Sequence, residues 1–259
     1  GFNQSVPAVC YPTACATACS FDEGLLTEMG QALGDECREQ GVSVLLGPGV
    51  NHKRSPLCGR NFEYFSEDPC LTGALAAAFI NGVQSRGVGT SLKHFAANSQ
   101  ETARNICDSA VDERALREIY LRPFETAIRK GQPWTVMTAY NKLNGAYCSE
   151  NKWLLEDVAR GEWGFEGVFV TDWGALNDVV ESYKNGLELE MPGVSKGTDK
   201  IVLDALKKGL ISQETLDAHA ERLMELILKG AAGSREPVKV DLAAHLKLGT
   251  TPADAPAAS

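Results

Sequence analysis

The sequence predicts an α/β fold, a (β/α)8 TIM-like barrel built on a parallel sheet. Helical patterns and short β-rich runs alternate along the chain, an order typical of parallel strands with right-handed crossovers. No GxGxxG string follows a strand, which removes the main argument for an open nucleotide-binding sheet. A length of 259 residues, 44% of them apolar, suits one barrel domain. Only about five strands are evident where a barrel needs eight, so either some strands are weak in sequence or the chain is a piece of a larger protein.

Helices and strands carry recognisable start and stop signals. The helix signals are, in order, a capping box at Ser20-x-x-Glu23 with Gly41 as the stop, Asp68-Pro69, the acidic turn Asp112-Glu113 with a kink at Pro123, a stretch near 153–159, and the amphipathic run 212–229. The predicted strands are 42–46, 88–92, 134–139 and 168–170, followed by an apolar stretch at 187–191. We assign 1–230 to the barrel domain. We expect 231–259, with its Ala- and Pro-rich end, to be a linker or tail toward a further domain.

The composition narrows the possible partners. A formal net charge of -9 argues against a nucleic-acid surface, and no apolar run reaches the roughly eighteen residues of a membrane span. The eight cysteines lack CxxC pairing, so we expect most of them to be reduced core thiols, which favours a cytoplasmic location. The four histidines form no HxH or HExxH pattern, so no metal site is expected. A small, neutral partner is favoured. The composition does not decide whether the protein forms a homo-oligomer.

Polar side chains follow four of the predicted strands. They are Asp172 after 168–170, Lys93 and His94 after 88–92, Tyr140 after 134–139, and Arg60 in the long loop after 42–46. In a barrel the loops at the carboxyl ends of the strands converge on one face, so these side chains are expected to share a pocket. Asp172 is the first candidate for a catalytic residue. The alternative is that it caps the next helix.

Such a pocket would hold a carboxylate lined by cations. Two positive charges within about 4–6 Å would keep Asp172 ionised and nucleophilic. In the retaining mechanism of glycoside hydrolysis, one carboxylate forms a glycosyl-enzyme while a second carboxyl group, about 5–5.5 Å away, protonates the leaving oxygen. Trp173 offers a flat apolar face for a pyranose ring, and we include Met137 among the substrate-binding candidates.

Simpler roles are open for each group. They are surface charges for Arg60 and Lys93, a packed ring for Tyr140, a hydrogen-bonded structural histidine for His94, a helix start for Glu67-Asp68-Pro69, and salt bridges rather than support of the site for Glu188 and Glu190.

Several strings together resemble glycoside hydrolase family 3, the group that contains bacterial and fungal β-glucosidases. The matching segments, in the family's order, are GRNFEYFSEDP (59–69), SLKHFAAN (91–98), DERALREIYLRPFE (112–125), TAYNKLNG (138–145), GVFVTDWGA (167–175) and LEMPG (189–193). The family's N-acetylglucosaminidases carry a PGHG-containing loop after the Lys-His pair. This chain has FAAN at 95–98, so we set that substrate aside.

The resemblance implies a retaining exo-acting β-glucosidase without a cofactor. It implies that Asp172 is the nucleophile and that Trp173 shapes the glucose site. The residues that it implies hold sugar hydroxyls are Arg60, Lys93, His94 and Tyr140. A β-xylosidase or exo-β-glucanase of the same family, and a non-catalytic sugar-binding fragment, are the alternatives.

The chain departs from the family pattern in two places. Family members usually place a first strand with a DGPxG-like segment ahead of the point where this chain begins. Their acid/base glutamate usually belongs to an α/β sandwich domain that follows the barrel. We therefore expect the first strand and the acid/base to lie outside this segment, on the same chain or another one.

Overall fold

A parallel sheet runs through the computed structural model, which describes residues 6, 8–193, 197–233 and 238–254. The strands are β1 (Val44–Leu45), β2 (Gly89–Phe95), β3 (Asp108–Ser109), β4 (Thr135–Thr138), β5 (Lys142–Leu143), β6 (Ala146–Tyr147) and β7 (Val168–Thr171). In the main sheet the order is β1, β2, β4, β7, and all neighbours are parallel. The other three strands form a separate small sheet.

The register of the main sheet brings the carboxyl ends of its strands to one level. Thr138 at the end of β4 pairs with Phe95 on one side and with Thr171 on the other. A further bridge joins Val170 to Leu189, inside the apolar stretch predicted at 187–191. The predicted parallel α/β architecture is therefore confirmed. Within the described residues the sheet does not close into a barrel.

Helices flank this sheet. They are α1 (Ala14–Ala18), α2 (Glu23–Glu39), α3 (Pro69–Gln84), α4 (Glu113–Ala115), α5 (Arg122–Gly131), α6 (Val179–Lys184), α7 (Thr198–Lys207), α8 (Gln213–Gly233) and α9 (Leu242–Asp254). Two stretches are π-helical, Leu116–Tyr120 and Trp153–Glu162, and two are short 3-10 turns, Asn61–Glu63 and Cys148–Glu150. The kink predicted at Pro123 falls where the first π-helical stretch gives way to α5.

The helix starts follow the predicted chemistry except at α2. Asp68 caps α3 by accepting from two backbone N–H groups, and Asp112 caps α4 by accepting from Ala115 N. The capping box predicted at Ser20 is wrong, because Asp22 is the cap and accepts from Leu25 N at 3.1 Å. The Ser20 hydroxyl donates instead to the carbonyl of Thr17.

Apolar side chains, which alternate in direction along each strand, cover both faces of the sheet. Phe169 of β7 points into the main core, where it stacks against Phe95 of β2. Val168 and Val170 point to the opposite face and form a smaller cluster with Met137, against which the partly buried Leu223 of α8 packs. Since apolar side chains fill both faces, polar side chains of these strands reach open space mainly at the strand ends.

Both ends of the described chain meet on one buried carboxylate. Glu36 of α2 accepts from Val9 N at 3.1 Å and from the Tyr11 hydroxyl at 2.8 Å, and Nδ1 of His245 in α9 lies 2.8 Å away. The tail expected over 231–259 is therefore partly helical and rests against α2. Its last residues, from 255 on, lie outside the described residues, and the boundary at 230 stays a prediction.

The cysteines differ from expectation in their burial. All eight are free thiols, but only Cys37, Cys58 and Cys148 are buried. The prediction that most are core residues is wrong, because the other five, including Cys70 in the first turn of α3, lie at positions that the core does not cover. No helix in the described ranges is both long and apolar enough to cross a bilayer.

Candidate active site

The ends of β2, β4 and β7 bring the predicted site residues into one cluster. Asp172 follows β7 directly and is tied to β4 by its N–H, which donates to the Thr138 carbonyl at 3.3 Å. His94 lies within β2, and its Nε2 is 3.5 Å from Oδ2 of Asp172. The strand ends therefore bring Asp172 and His94 into contact, as expected, and the shared pocket stays a prediction.

Asp172 keeps one oxygen free of backbone contacts among the described residues. Its Oδ1 accepts from Trp173 N at 2.7 Å, and its Oδ2 faces His94. The side chain is 12% exposed. Capping of the next helix is excluded as its role, because α6 is capped by Asp178, whose side chain accepts from Glu181 N at 2.9 Å. The carboxylate is therefore partly open and does not serve as a helix cap.

His94 is held from three directions. The side chain of Asn51 accepts from His94 N and donates to His94 O, both at 2.8 Å. The hydroxyl of Tyr64 lies 3.0 Å from Nδ1, on the opposite edge of the ring from Asp172. Burial lowers the pKa of His94 well below its usual value, and the charges of Arg60, Lys93 and Arg104 lower it further. His94 is therefore a neutral ring at physiological pH.

A glutamate that the sequence argument missed joins the two predicted cations. Glu63, in the 3-10 turn after Arg60, forms a very short hydrogen bond to Arg60 Nε and lies 3.1 Å from Lys93 Nζ. Burial alone would raise the pKa of Glu63, but the hydrogen bond from Arg60 and the charge of Lys93 outweigh it and bring the pKa below its usual value. Arg60 and Lys93 are mostly buried, so they are not the solvated surface charges of the simpler interpretation. The spacing of Arg60 and Glu63 on one turn was the signal available in the sequence.

Tyr140 closes another side of the cluster. Its hydroxyl donates to the carbonyl of Trp173 at 2.8 Å, next to Asp172. Burial raises the pKa of Tyr140 to about 12, with a further contribution from the charge of Asp172. The guanidinium of Arg104 lies 4.3 Å from the centre of the Tyr140 ring, and Glu101 pairs with that arginine at 2.7 Å. Arg104 follows no predicted strand directly, so strand-end reasoning could not select it.

The two remaining candidates lie at the apolar side of the cluster. Trp173 is partly exposed and packs against the cluster that contains Met137. Met137 is buried beneath it, beside Val168 and Val170. The roles of both in binding stay predictions.

Several other groups serve the scaffold. Glu188 is fully buried and pairs with Arg160 at 2.5 Å and Arg222 at 2.8 Å, so the salt-bridge interpretation holds for it. Asp68 caps α3, as the simpler interpretation predicted for 67–69. In the described part of the chain, no group of three or more His, Cys, Asp and Glu side chains could hold a metal ion.

A cleft of about 590 Å³ opens next to the Glu101–Arg104 pair. Glu101, Ser99 and Asp108 lie on its wall, together with the ring of Tyr120.

Comparison with known proteins assigns the chain to a family. Residues 2–226 match the profile described as "Glycosyl hydrolase family 3 N terminal domain". The chain belongs to glycosyl hydrolase family 3. The resemblance inferred from the six strings is confirmed.

Curated members of the family align along nearly the whole chain. Thermostable beta-glucosidase B of Acetivibrio thermocellus is 54% identical over 246 residues, which cover 95% of this chain and 33% of that relative. An exo-alpha-(1->6)-L-arabinopyranosidase of Bifidobacterium longum is 48% identical over 94% of this chain and 32% of its own length. The chain thus spans about a third of the length of the curated relatives it matches.

Solved structures of the family share the fold. A beta-glucosidase of Bifidobacterium adolescentis superposes with a TM-score of 0.93 at 45% identity, covering 98% of this chain and 38% of that one. Beta-glucosidase 3B of Thermotoga neapolitana, solved in complex with glucose, gives a TM-score of 0.91 at 46% identity, with 97% of this chain and 36% of that one covered.

Proposed function

We propose that the chain carries the nucleophile half of a retaining, exo-acting β-glucosidase. The observation that carries this proposal is the partly open carboxylate of Asp172 beside a neutral histidine and a cation-lined wall. An ionised oxygen with a free side can attack an anomeric carbon. The family membership and the relatives named beta-glucosidase support the same reaction.

The reaction would run through a covalent glycosyl-aspartate. An oxygen of Asp172 forms a bond to the anomeric carbon as the bond from that carbon to the leaving oxygen breaks. The leaving oxygen takes a proton from a general acid, and water later hydrolyses the ester. Arg60, Lys93 and His94 present donors that can bind sugar hydroxyls, the Tyr140 oxygen can accept from one, and Trp173 is suited to stack on the ring.

The general acid is expected from another part of the protein. Glu63 is a poor candidate, because its cationic partners keep it ionised at neutral pH. Glu101 is paired with Arg104 at 2.7 Å. A carboxyl group that must deliver a proton needs the opposite surroundings, apolar and without cations.

The same reasoning extends to the architecture. We infer that the four-stranded sheet is part of a (β/α)8 barrel, to which further strands and an α/β sandwich domain are added by the rest of this polypeptide or by another. The parallel order, the level strand ends and the site at their carboxyl side support this inference. The cytoplasmic location stays a proposal, which cell fractionation would test.

Covalent labelling tests the nucleophile. A 2,4-dinitrophenyl 2-deoxy-2-fluoro-β-glucoside needs little help from an acid, so the chain should gain the mass of one fluoroglucosyl group. In the Asp172→Asn variant we expect no gain in intact mass, and peptide mapping of the wild-type adduct should place the sugar on Asp172. Labelling that persists in Asp172→Asn would remove Asp172 from this role. No labelling of the wild-type chain would favour the sugar-binding fragment.

The sugar itself is open to direct comparison. Because one relative is named an arabinopyranosidase and β-xylosidases or exo-β-glucanases share the family, the motifs define the reaction more closely than the substrate. We expect dinitrophenyl β-D-glucoside to react faster than the β-D-xyloside and the α-L-arabinopyranoside. A reversed order of these rates would assign a different sugar to the same site.

A further inference from the structure

A buried tyrosine stands behind the histidine that faces Asp172. Tyr64 is fully buried, and its hydroxyl lies 3.0 Å from Nδ1 of His94. The two rings meet edge to face, with centroids 6.1 Å apart and planes at 83°. A Cβ added to Gly49 would come within 2.9 Å of the Tyr64 ring, so the backbone of the preceding loop presses against this ring and leaves it little freedom.

The contact has a preferred direction. Burial raises the pKa of Tyr64 above its ordinary value, so the hydroxyl keeps its proton and can donate it to a hydrogen bond. On the other edge of the ring, Nε2 of His94 faces the carboxylate oxygen of Asp172, which can only accept. A proton on Nε2 and a lone pair on Nδ1 satisfy both neighbours at once.

A second proton on His94 would change the site. An imidazolium 3.5 Å from Asp172 would form an ion pair, and a carboxylate in an ion pair is a weaker nucleophile. Burial and nearby cations oppose that second proton, but Asp172 favours it. The titratable and charged groups that face His94 are Asp172, Tyr64, Arg60, Lys93 and Arg104.

We propose that Tyr64 is a positioning residue, whose hydroxyl donates to Nδ1 of His94 and so reserves the ring as a neutral Nε2–H donor beside the nucleophile. The Tyr64 oxygen occupies the position from which a second proton would reach the ring. Asn51 fixes the backbone of His94, and Tyr64 fixes the protonation state of its ring. The benefit for catalysis rests on the proposed glycosidase function, whereas the state of the ring does not.

Nitrogen NMR of the full chain tests the state of the ring directly. In protein labelled with ¹⁵N-histidine, the His94 signals are identified by their loss in His94→Gln. At neutral pH we expect Nε2 protonated and Nδ1 unprotonated. A protonated Nδ1 in the wild-type chain would overturn the proposal without any variant at Tyr64.

Tyr64→Phe keeps the ring and removes the hydroxyl. Loss of one neutral hydrogen bond to the unprotonated ring should move the His94 titration upward by about one pH unit. The matched control is Tyr183→Phe, which removes the hydroxyl of a ring that lies near another histidine, His219, with ring centroids 6.3 Å apart. It should leave the His94 titration unchanged. An unchanged His94 titration in Tyr64→Phe would sink the proposal.

The rate of labelling by the fluoroglucoside gives a second readout. In Tyr64→Phe we expect the rate to fall on the acid side of neutrality and to approach the wild-type rate as the pH rises, because His94 then loses its extra proton. A merely structural role would lower the rate equally at every pH, and that result would contradict the proposal. Failure of the wild-type chain to label would count against the glycosidase proposal alone, because the NMR result stands independently.

Discussion

Two carboxylate clusters in this molecule share their ingredients and differ in their use. Glu188 lies behind β7 with Arg160 and Arg222, and its other oxygen accepts from Phe169 N at 2.6 Å. Asp172 lies at the end of the same strand, with an N–H from Trp173 and a neutral histidine. The side chain of Glu188 is 0% exposed, and that of Asp172 is 12% exposed.

The difference separates a structural carboxylate from the one that we propose to be reactive. Both oxygens of Glu188 are engaged by strong donors in a closed space, and burial nevertheless raises its pKa and lowers that of Arg160. The Glu188 cluster is expensive to bury, and it ties the helix at 153–162 and α8 to the sheet. Near Asp172 the cations Arg60 and Lys93 are paired with Glu63 instead, so neither forms an ion pair with the proposed nucleophile among the described contacts.

The largest expected effect is on stability. Glu188→Ala leaves two arginines without their carboxylate and should cost about 3–5 kcal/mol in the free energy of unfolding. Asp172→Ala removes one hydrogen-bond acceptor from a partly open position and should cost about 1 kcal/mol. Urea unfolding of both variants beside the wild type measures the difference. Equal losses would mean that the two clusters are both structural, and the comparison would fail.

The next effect is on reactivity. Glu63→Gln removes the negative charge that holds Arg60 and Lys93 in place, and loss of one charge-assisted hydrogen bond should slow labelling of Asp172 about tenfold. Glu118→Gln, on an exposed helical pair, is the control and should label at the wild-type rate. If Glu63→Gln labels as fast as the control, the cations do not depend on Glu63.

A smaller effect concerns acid stability near the Glu188 cluster. Burial lowers the pKa of His219 to about 4 from 6.5, with Arg222 and Arg160 adding to the shift. Between pH 6.5 and about 4 the unfolded chain binds a proton that the folded chain refuses, so stability falls as the pH falls through this window. His219→Gln should therefore lose stability less steeply on acidification than the wild type, while His94 continues to contribute in both. Parallel unfolding curves across this pH range would show that His219 is not buried as a neutral ring.

The smallest effect is expected at the surface. Arg114 and Glu118 form an exposed pair on one helical face, with nitrogen and oxygen 3.1 Å apart. Arg114→Ala should change the free energy of unfolding by less than about 0.5 kcal/mol. A larger change would show that exposed pairs matter in this fold, and it would narrow the contrast with Glu188.

Local patterns predicted most of what the strands and helix starts determine. The four main strands, the Asp68-Pro69 start and the placement of Asp172 all follow from short-range signals in the sequence. Strand-end reasoning worked because parallel strands in register align their carboxyl ends, as Thr138 and Thr171 do here.

The residues that support the site make contacts between positions that are far apart in the sequence. Asn51 and Tyr64 reach His94 from 43 and 30 positions away, and both lie in a loop without periodicity. Neither contact leaves a trace in hydrophobic spacing. Glu63 was visible as a neighbour of Arg60, but its bond to Lys93 depends on how the loop folds over β2. The prediction that most cysteines are buried failed for the same reason, because burial depends on which segments the core covers.

Glu36, which receives Val9, Tyr11 and His245 together, makes the two extremities of the described chain neighbours in space. A short engineered peptide could therefore join them, and new ends could be cut at the hairpin glycine Gly145, which is exposed and has a φ of 95°. In such a circular permutant the chain termini would lie where the β5–β6 hairpin turns. In the permuted sequence Asp172 would precede Arg60, His94 and Tyr140.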